Sequence, residues 1–120
     1  MVPSLYTALT TGDDASNQTV YGDYTNSYVL KKGDIVEIIL NNNDPGKHPF
    51  HLHGHDFQVV YRSPPGVGFF NASHHGDFAS TPVRRDVLMV NPNGNFVVRF
   101  RADNPGLYPP VFTPRICVRY

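Results

Sequence analysis

The chain is 120 residues long, the size of one domain with a single modest hydrophobic core. Its 10 basic and 10 acidic side chains give no formal net charge, so nothing in the charge points to a nucleic acid or an anionic membrane as partner. A high content of Pro (11), Gly (10), Phe (8) and Tyr (7) disfavours long helices and favours short strands joined by turns. The composition therefore predicts an all-β fold.

A membrane-spanning helix and a disulfide framework are also disfavoured. No apolar run approaches the ~20 residues of a membrane-spanning helix, and no signal-peptide pattern is visible. We therefore expect the signal of a secreted form to lie outside this chain. Cys117 is the only cysteine, which rules out an intrachain disulfide framework.

The first predicted elements form a strand pair. Residues 28–30 read as a short strand, residues 32–34 as a turn, and residues 35–40 as a second, strongly apolar strand. The Asn-rich residues 41–47 read as a loop. This loop leads directly into a histidine-rich segment.

The second half of the chain continues the pattern of strands and turns. The histidine-rich residues 48–55 read as extended and continue through residue 61, followed by a Gly/Pro-rich surface loop over residues 63–82. Residues 83–90 and 96–100 read as strands separated by an Asn-Pro-Asn-Gly turn. About seven short strands at this spacing predict an antiparallel Greek-key β-sandwich over residues 28–101.

The segment His-Pro-Phe-His-Leu-His-Gly-His contains four of the six histidines and indicates a metal site. In an extended strand His51, His53 and His55 share one face, and His48 lies on the other. Imidazole suits copper, zinc, iron and nickel alike, so the spacing alone names no metal. The alternative is a surface histidine tract, against which the interleaved Pro, Phe, Leu and Gly argue.

Other polar motifs lie in loop-like surroundings. His74 and His75 lie within the long loop and are interpreted as surface residues rather than ligands. Two Asn-x-Ser/Thr sequons, at Asn17 and Asn71, are candidate glycosylation sites and give weak support for a secretory route.

With these features in place, the sequence resembles the third cupredoxin domain of multicopper oxidases, the family of laccases, ascorbate oxidases and fungal ferroxidases. The resemblance rests on the histidine segment together with residues 2–9, 33–38, 83–86 and 96–106, in that order. It implies a cupredoxin-like sandwich over residues 1–106, incomplete at the C-terminus and followed by a divergent Pro-rich tail at residues 107–120.

The resemblance also implies the metal and its ligands. His48 corresponds to a ligand of type 1 copper, His51 to a ligand of type 2 copper, and His53 to a ligand of one type 3 copper. His55 matches a family histidine that is usually not a ligand and packs or hydrogen-bonds nearby. Asp44 matches an acidic residue that helps to hold Fe(II) in iron-oxidising members, although an ordinary Asp-Pro-Gly turn explains it equally well.

The sequence departs from the family after Asn104-Pro105-Gly106, where a His-Cys-His segment is expected and is missing. A type 1 site needs a thiolate beside its imidazoles, and Cys117 lacks the flanking histidines that would join it to the type 3 pair. Three prolines in residues 107–120 oppose a central strand, so we expect this tail to pack poorly. The trinuclear cluster further requires histidine pairs from another domain.

The leading functional hypothesis is therefore that the chain is part of a copper-dependent oxidase, which couples oxidation of Fe(II) or a phenol to reduction of oxygen to water. The resemblance implies a secreted or cell-surface parent enzyme and, for a ferroxidase, an iron permease as partner. The alternative is a non-catalytic copper-binding or structural cupredoxin-like remnant.

A cupin-type enzyme needs a glutamate shortly after the histidines, but Glu37 precedes them. A zinc hydrolase is disfavoured as well, because this sequence lacks the helix motif of that class.

Overall fold

The computed structural model describes residues 4–21 and 28–106, which form two antiparallel β-sheets preceded by short helical turns. The four-stranded sheet has the order β1 (Ile35–Asn41), β6 (Asn95–Arg101), β3 (Phe57–Arg62) and β4 (Val83–Arg85), and the two-stranded sheet pairs β2 (His48–His51) with β5 (Val87–Val90). Helix α1 covers Ser4–Thr10, and 3₁₀ helices cover Gly12–Ser16, Gln18–Tyr21 and Ala72–Asp77. The predicted all-β class is confirmed.

The core lies between the two sheets. Along β1, buried residues alternate with more exposed ones, as expected for a strand with one face against a core. Phe50, from the two-stranded sheet, has its ring centroid 5.5 Å from that of Phe57 and 5.4 Å from that of Phe96, both in the four-stranded sheet. The nine buried residues of this cluster are Val36, Ile38, Leu40, Phe50, Phe57, Val90, Phe96, Val98 and Phe100. Both sheets contribute to it, which makes the fold a β-sandwich.

The strands pair as a nested set: β1 with β6, β2 with β5, and β3 with β4. This nesting arises because the chain folds back on itself in the long loop between β3 and β4. Strand β3 also pairs with β6, and a bulge at Val60 shifts the register between these two strands. Chain order and strand order therefore differ, as expected for a Greek-key arrangement.

The predicted strand at residues 28–30 is wrong. These three apolar residues do not form a strand and are 40–54% exposed. The following turn is bonded instead to the distant end of β6, with the Gly33 amide donating to the Ala102 carbonyl at 2.8 Å. Strand β1 finds its partner in β6 rather than in the segment next to it in sequence.

Two other predicted strands are broken into pieces that belong to different sheets. Residues 48–61 were expected to run on as one extended segment, but β2 ends at His51 and β3 begins at Phe57, with a turn between them. Gly54 in this turn has φ 73°, a conformation that favours glycine. Residues 83–90 are likewise divided at Asp86. In both places the chain crosses from one sheet to the other.

The long loop over residues 63–82 is largely exposed, as predicted, and packs aromatic rings against the four-stranded sheet. The rings of Phe70, His74 and Phe78 lie 6.0, 5.3 and 6.2 Å from that of Tyr61 in β3. The guanidinium of Arg99 in β6 lies 5.5 Å from the Phe78 ring centroid.

The predicted tail at residues 107–120, including Cys117, lies outside the described residues, so its expected poor packing stays a prediction. The proposed division at residue 106 likewise stays a prediction. Within residues 4–21 and 28–106, no helix is both long enough and apolar enough to cross a membrane.

Candidate metal centre

Strand β2 places His48 and His51 on opposite faces. Phe50 is 1% exposed and fixes which face of β2 meets the core. Since side chains alternate along a strand, His48 shares the face of Phe50, and His51 lies on the other. The two histidines therefore project from opposite faces of β2, as the sequence spacing predicts.

His51 and His53 lie together although the strand ends between them. Their ring centroids are 4.7 Å apart with the rings nearly perpendicular. The turn at Gly54 starts at His53, so the turn rather than a continued strand sets the His53 position. The expectation that these two histidines are neighbours agrees with the structure, but the expected extended backbone does not.

The orientation of His51 is set by the backbone of Asp86. Its Nδ1 lies 2.9 Å from the Asp86 carbonyl oxygen, which can only accept a hydrogen bond, so Nδ1 carries the proton. The Nε2 lone pair of the neutral ring is then directed away from this bond. Metal-binding histidines are commonly held in this way by a carbonyl on their other nitrogen. Sequence reasoning missed this role, because no side-chain pattern identifies a backbone acceptor.

His48 is held by Asp44 in the loop before β2. Its Nε2 lies 3.1 Å from Asp44 Oδ1, and the side chains are 29% and 52% exposed, respectively. Since a carboxylate oxygen accepts, Nε2 carries the proton and Nδ1 of the neutral ring keeps its lone pair. The structure thus brings Asp44 close to His48, as the family resemblance implies.

The remaining histidines lie elsewhere. The His55 ring packs on Phe100 at a centroid distance of 5.0 Å, in keeping with the packing expected of it. His74 and His75 join the aromatic cluster of the long loop. Among residues 4–21 and 28–106, no three His, Cys, Asp or Glu side chains converge on one point that could hold a metal.

An open groove of about 440 Å³ lies beside His51. Its walls mix carboxylates and guanidinium groups, namely Asp56, Asp86 and Asp103 with Arg84 and Arg101. Arg84 and Asp56 form an exposed ion pair at 3.6 Å, which contributes little stability in water. The groove leaves the His51 side of the domain open to further groups.

A two-sheet antiparallel sandwich with this histidine segment defines a class of protein: residues 1–109 match the family model of the multicopper oxidases, and the chain belongs to that family. Copper is the metal of the family. The imidazole nitrogens described above fit it, because His48 and His51 each keep one ring nitrogen for a metal after hydrogen-bonding through the other.

More particularly, the chain is similar to fungal iron-transport enzymes. It is 54% identical over 109 residues to the iron transport multicopper oxidase FET3 of Gibberella zeae, covering 89% of this chain and 18% of that protein. It is 48% identical over 114 residues to the protein of the same name from Saccharomyces cerevisiae, with the same coverage. The chain thus spans about a fifth of the length of these relatives.

The solved structures agree with the sequence comparison. The chain superposes on the crystal structure of Fet3p, a multicopper oxidase that functions in iron import, with a TM-score of 0.80 and 48% identity. This match covers 89% of this chain and 22% of that chain. The blue copper oxidase from Nitrosomonas europaea matches at a TM-score of 0.51 and 28% identity over 66% of this chain and 21% of that chain. The predicted cupredoxin-like fold is therefore confirmed.

Proposed function

We propose that this chain supplies copper ligands to an iron-oxidising multicopper oxidase: His48 to type 1 copper, His51 to type 2 copper and His53 to a type 3 copper. The support is the separation of the histidines onto two faces of β2. Since His51 and His53 are neighbours while His48 lies on the other face, two distinct copper sites fit the geometry better than one.

The metal would be held by the ring nitrogens that protein hydrogen bonds leave available. Bound copper would supply one-electron redox chemistry, which couples oxidation of a reducing substrate to reduction of oxygen to water. The residues of this chain fix ring orientation: Asp86 through its carbonyl orients His51, and Asp44 orients His48.

We propose Fe(II) rather than a phenol as the reducing substrate, and the contact between Asp44 and His48 carries this choice. A half-exposed carboxylate lies 3.1 Å from the proposed type 1 ligand. Carboxylate oxygen is a suitable ligand for a hard divalent cation, whereas a neutral phenol gains little from it. The carboxylate would hold the Fe(II) ion next to the His48 ring. The electron of the ion would then enter the protein through this ring. The relatives named above are iron-transport enzymes, which supports the same choice.

The partners and location follow from this assignment and are also proposals. Oxidised iron at a cell surface requires an uptake protein, so an iron permease is the expected partner of a secreted or cell-surface enzyme. Asn17 and Asn71 are exposed, and each side-chain oxygen accepts a hydrogen bond from the hydroxyl two residues later, Thr19 or Ser73. Their exposure supports glycosylation at both sequons.

A domain exchange tests the proposal. The matching segment of the Saccharomyces cerevisiae relative is replaced by residues 2–106 of this chain, and the rest of that enzyme is kept. We expect the purified chimera to show intense blue absorption and to consume oxygen with Fe(II). His48→Ala should remove the blue absorption, and the surface variant His75→Ala should not.

The same chimera separates the alternatives. Asp44→Asn should lower the rate with Fe(II) far more than the rate with hydroquinone. Equal effects on both substrates would favour a phenol-oxidising function. A folded but colourless chimera would favour the non-catalytic remnant and contradict the copper-ligand assignment.

A further inference from the structure

Asn42, the residue directly after β1, is polar and buried, and the proposed copper ligands do not explain its burial. Asn42 is only 6% exposed. Nδ2 donates to the carbonyl oxygens of Gly46 at 2.9 Å and Asn91 at 3.0 Å, and Oδ1 accepts from the Asp44 amide at 3.0 Å. Both donors and the acceptor of the amide are thus used. Such complete use of a buried side chain fixes the backbone around it.

The partners of Asn42 belong to two different parts of the fold. Gly46 and Asp44 lie in the loop before β2, whereas Asn91 follows β5. Asn91 is itself held, because Arg62 Nη2 donates to its Oδ1 at 2.8 Å and its Nδ2 donates to the Ser63 carbonyl at 2.7 Å. Asn42 therefore ties a surface loop to the rigid sandwich.

Two backbone bonds strengthen this attachment. The Asn93 amide donates to the Asp44 carbonyl at 3.0 Å, and the Asn42 amide donates to the Gly94 carbonyl at 2.8 Å. The loop that carries Asp44 is thus bonded to the turn after β5 on both sides of Asn43. The Asp44 backbone is held from the interior, while its carboxylate is half exposed.

Gly46 completes the arrangement around the carboxylate. Its amide donates to Asp44 Oδ1 at 2.6 Å. A Cβ at position 46 would lie 2.9 Å from Asp44 Oδ1 and 3.6 Å from His48 Nε2. A side chain at this position would therefore press against the Asp44–His48 pair, and glycine leaves that space open.

We propose that Asn42 is a positioning residue that holds the Asp44 carboxylate next to His48 as a preformed site for a hard divalent cation, with Gly46 keeping the approach open. The inference rests on the proposed function, which assigns Asp44 to the cation. Preorganisation of this kind strengthens binding, because the loop loses no further conformational freedom when the cation arrives.

The test uses the 120-residue chain in a copper-free buffer, labelled with ¹⁵N, and Mn(II) as the probe. Mn(II) prefers carboxylate oxygen and broadens the signals of nearby amides. We expect saturable broadening centred on Asp44 and Gly46. Asn42→Leu should weaken Mn(II) binding by about tenfold, and Asn43→Ala, in the same loop with an exposed side chain, should leave it unchanged.

Two readouts exclude general unfolding as the cause. The Gly46 amide proton should move upfield in Asn42→Leu, because its bond to Asp44 Oδ1 is lost, while amides of the core strands keep their positions. Gly46→Ala should also weaken Mn(II) binding, but through displacement of the carboxylate, with the Asn91 side-chain amide signals unchanged.

The Asp44→Asn variant separates the two proposals. If Asp44→Asn abolishes the broadening but Asn42→Leu, still folded, binds as tightly as the unmodified chain, the positioning role is wrong and the cation site stands. If Asp44→Asn leaves the broadening unchanged, the assignment of Asp44 to the cation is wrong.

Discussion

The backbone oxygen of Asp86 lies 2.9 Å from Nδ1 of His51, at a point where both residues mark the end of a strand. Asp86 separates β4 from β5, and His51 is the last residue of β2. The amide of Leu52 also donates to the same oxygen, at 3.2 Å. The two places where the chain changes sheet are therefore bonded to each other, and the candidate type 2 ligand is fixed at their junction.

We expect the neutral His51 ring in the metal-free chain to carry its proton on Nδ1. A backbone carbonyl cannot donate, so this bond selects the tautomer. Long-range ¹H–¹⁵N spectra distinguish a protonated from an unprotonated ring nitrogen, and His51→Ala assigns the signals. A proton on Nε2 would contradict the geometry proposed for copper binding.

Replacement of Phe50 by Ala should destabilise the fold by about 3–5 kcal/mol, the usual cost of removing a buried aromatic ring. Phe50 is 1% exposed and connects the two sheets through its contacts with Phe57 and Phe96. Phe69→Ala, at a site 60% exposed, is the matched control and should change stability by no more than about 0.5 kcal/mol. Urea denaturation followed by circular dichroism measures both variants, and similar losses would contradict this description of the core.

The 120-residue chain alone, given Cu(II), should lack the intense blue absorption of a type 1 site and should not couple oxidation of Fe(II) or phenols to oxygen. The reason is the ligand set, since no cysteine flanked by histidines occurs in this sequence. Weak Cu(II) binding should remain and should be mostly lost in the double variant His51→Ala, His53→Ala. Absorption spectroscopy and calorimetric titration provide the measurements.

Cys117→Ser is the control for the copper experiment and should change neither absorption nor affinity. A strong blue band in the unmodified chain that disappears in Cys117→Ser would show that this cysteine completes a type 1 site.

Tyr61 should make stability fall at alkaline pH. Burial raises the pKa of the Tyr61 phenol, and the negative charge of Asp77 adds to this effect. Because the folded state holds this proton more tightly, its contribution is fully present below the ordinary tyrosine pKa of about 10 and is lost as pH rises through the higher folded-state pKa. Thermal unfolding across this range should show a smaller decline in Tyr61→Phe.

The Asp77→Asn variant tests the second cause. Ultraviolet difference titration against Tyr61→Phe isolates the phenolate signal, and its midpoint should move to lower pH in Asp77→Asn. An unchanged midpoint would leave burial as the sole cause of the shift.

Local pattern was sufficient for several elements of the sandwich. The alternation along Ile35–Asn41 identifies β1, and the apolar run within Asn95–Arg101 identifies β6. The histidine segment likewise shows its separation onto two faces, because His48 and His51 belong to one short strand whose side chains alternate. These features depend on neighbours in sequence, and the sequence pattern records them directly.

Only the tertiary structure decided which strands pair and where the chain crosses between sheets. The local sequence does not distinguish one continuous strand over residues 83–90 from two strands divided at Asp86, since the apolar residues are the same in either case. The bond from His51 to Asp86 joins residues 35 positions apart, and the bond from Asn42 to Asn91 joins residues 49 apart. The Asn42–Asn91 contact is buried, and it forms because buried polar groups must find hydrogen-bond partners once the sheets have packed. Both contacts join residues far apart in the chain, so no short stretch of sequence expresses them.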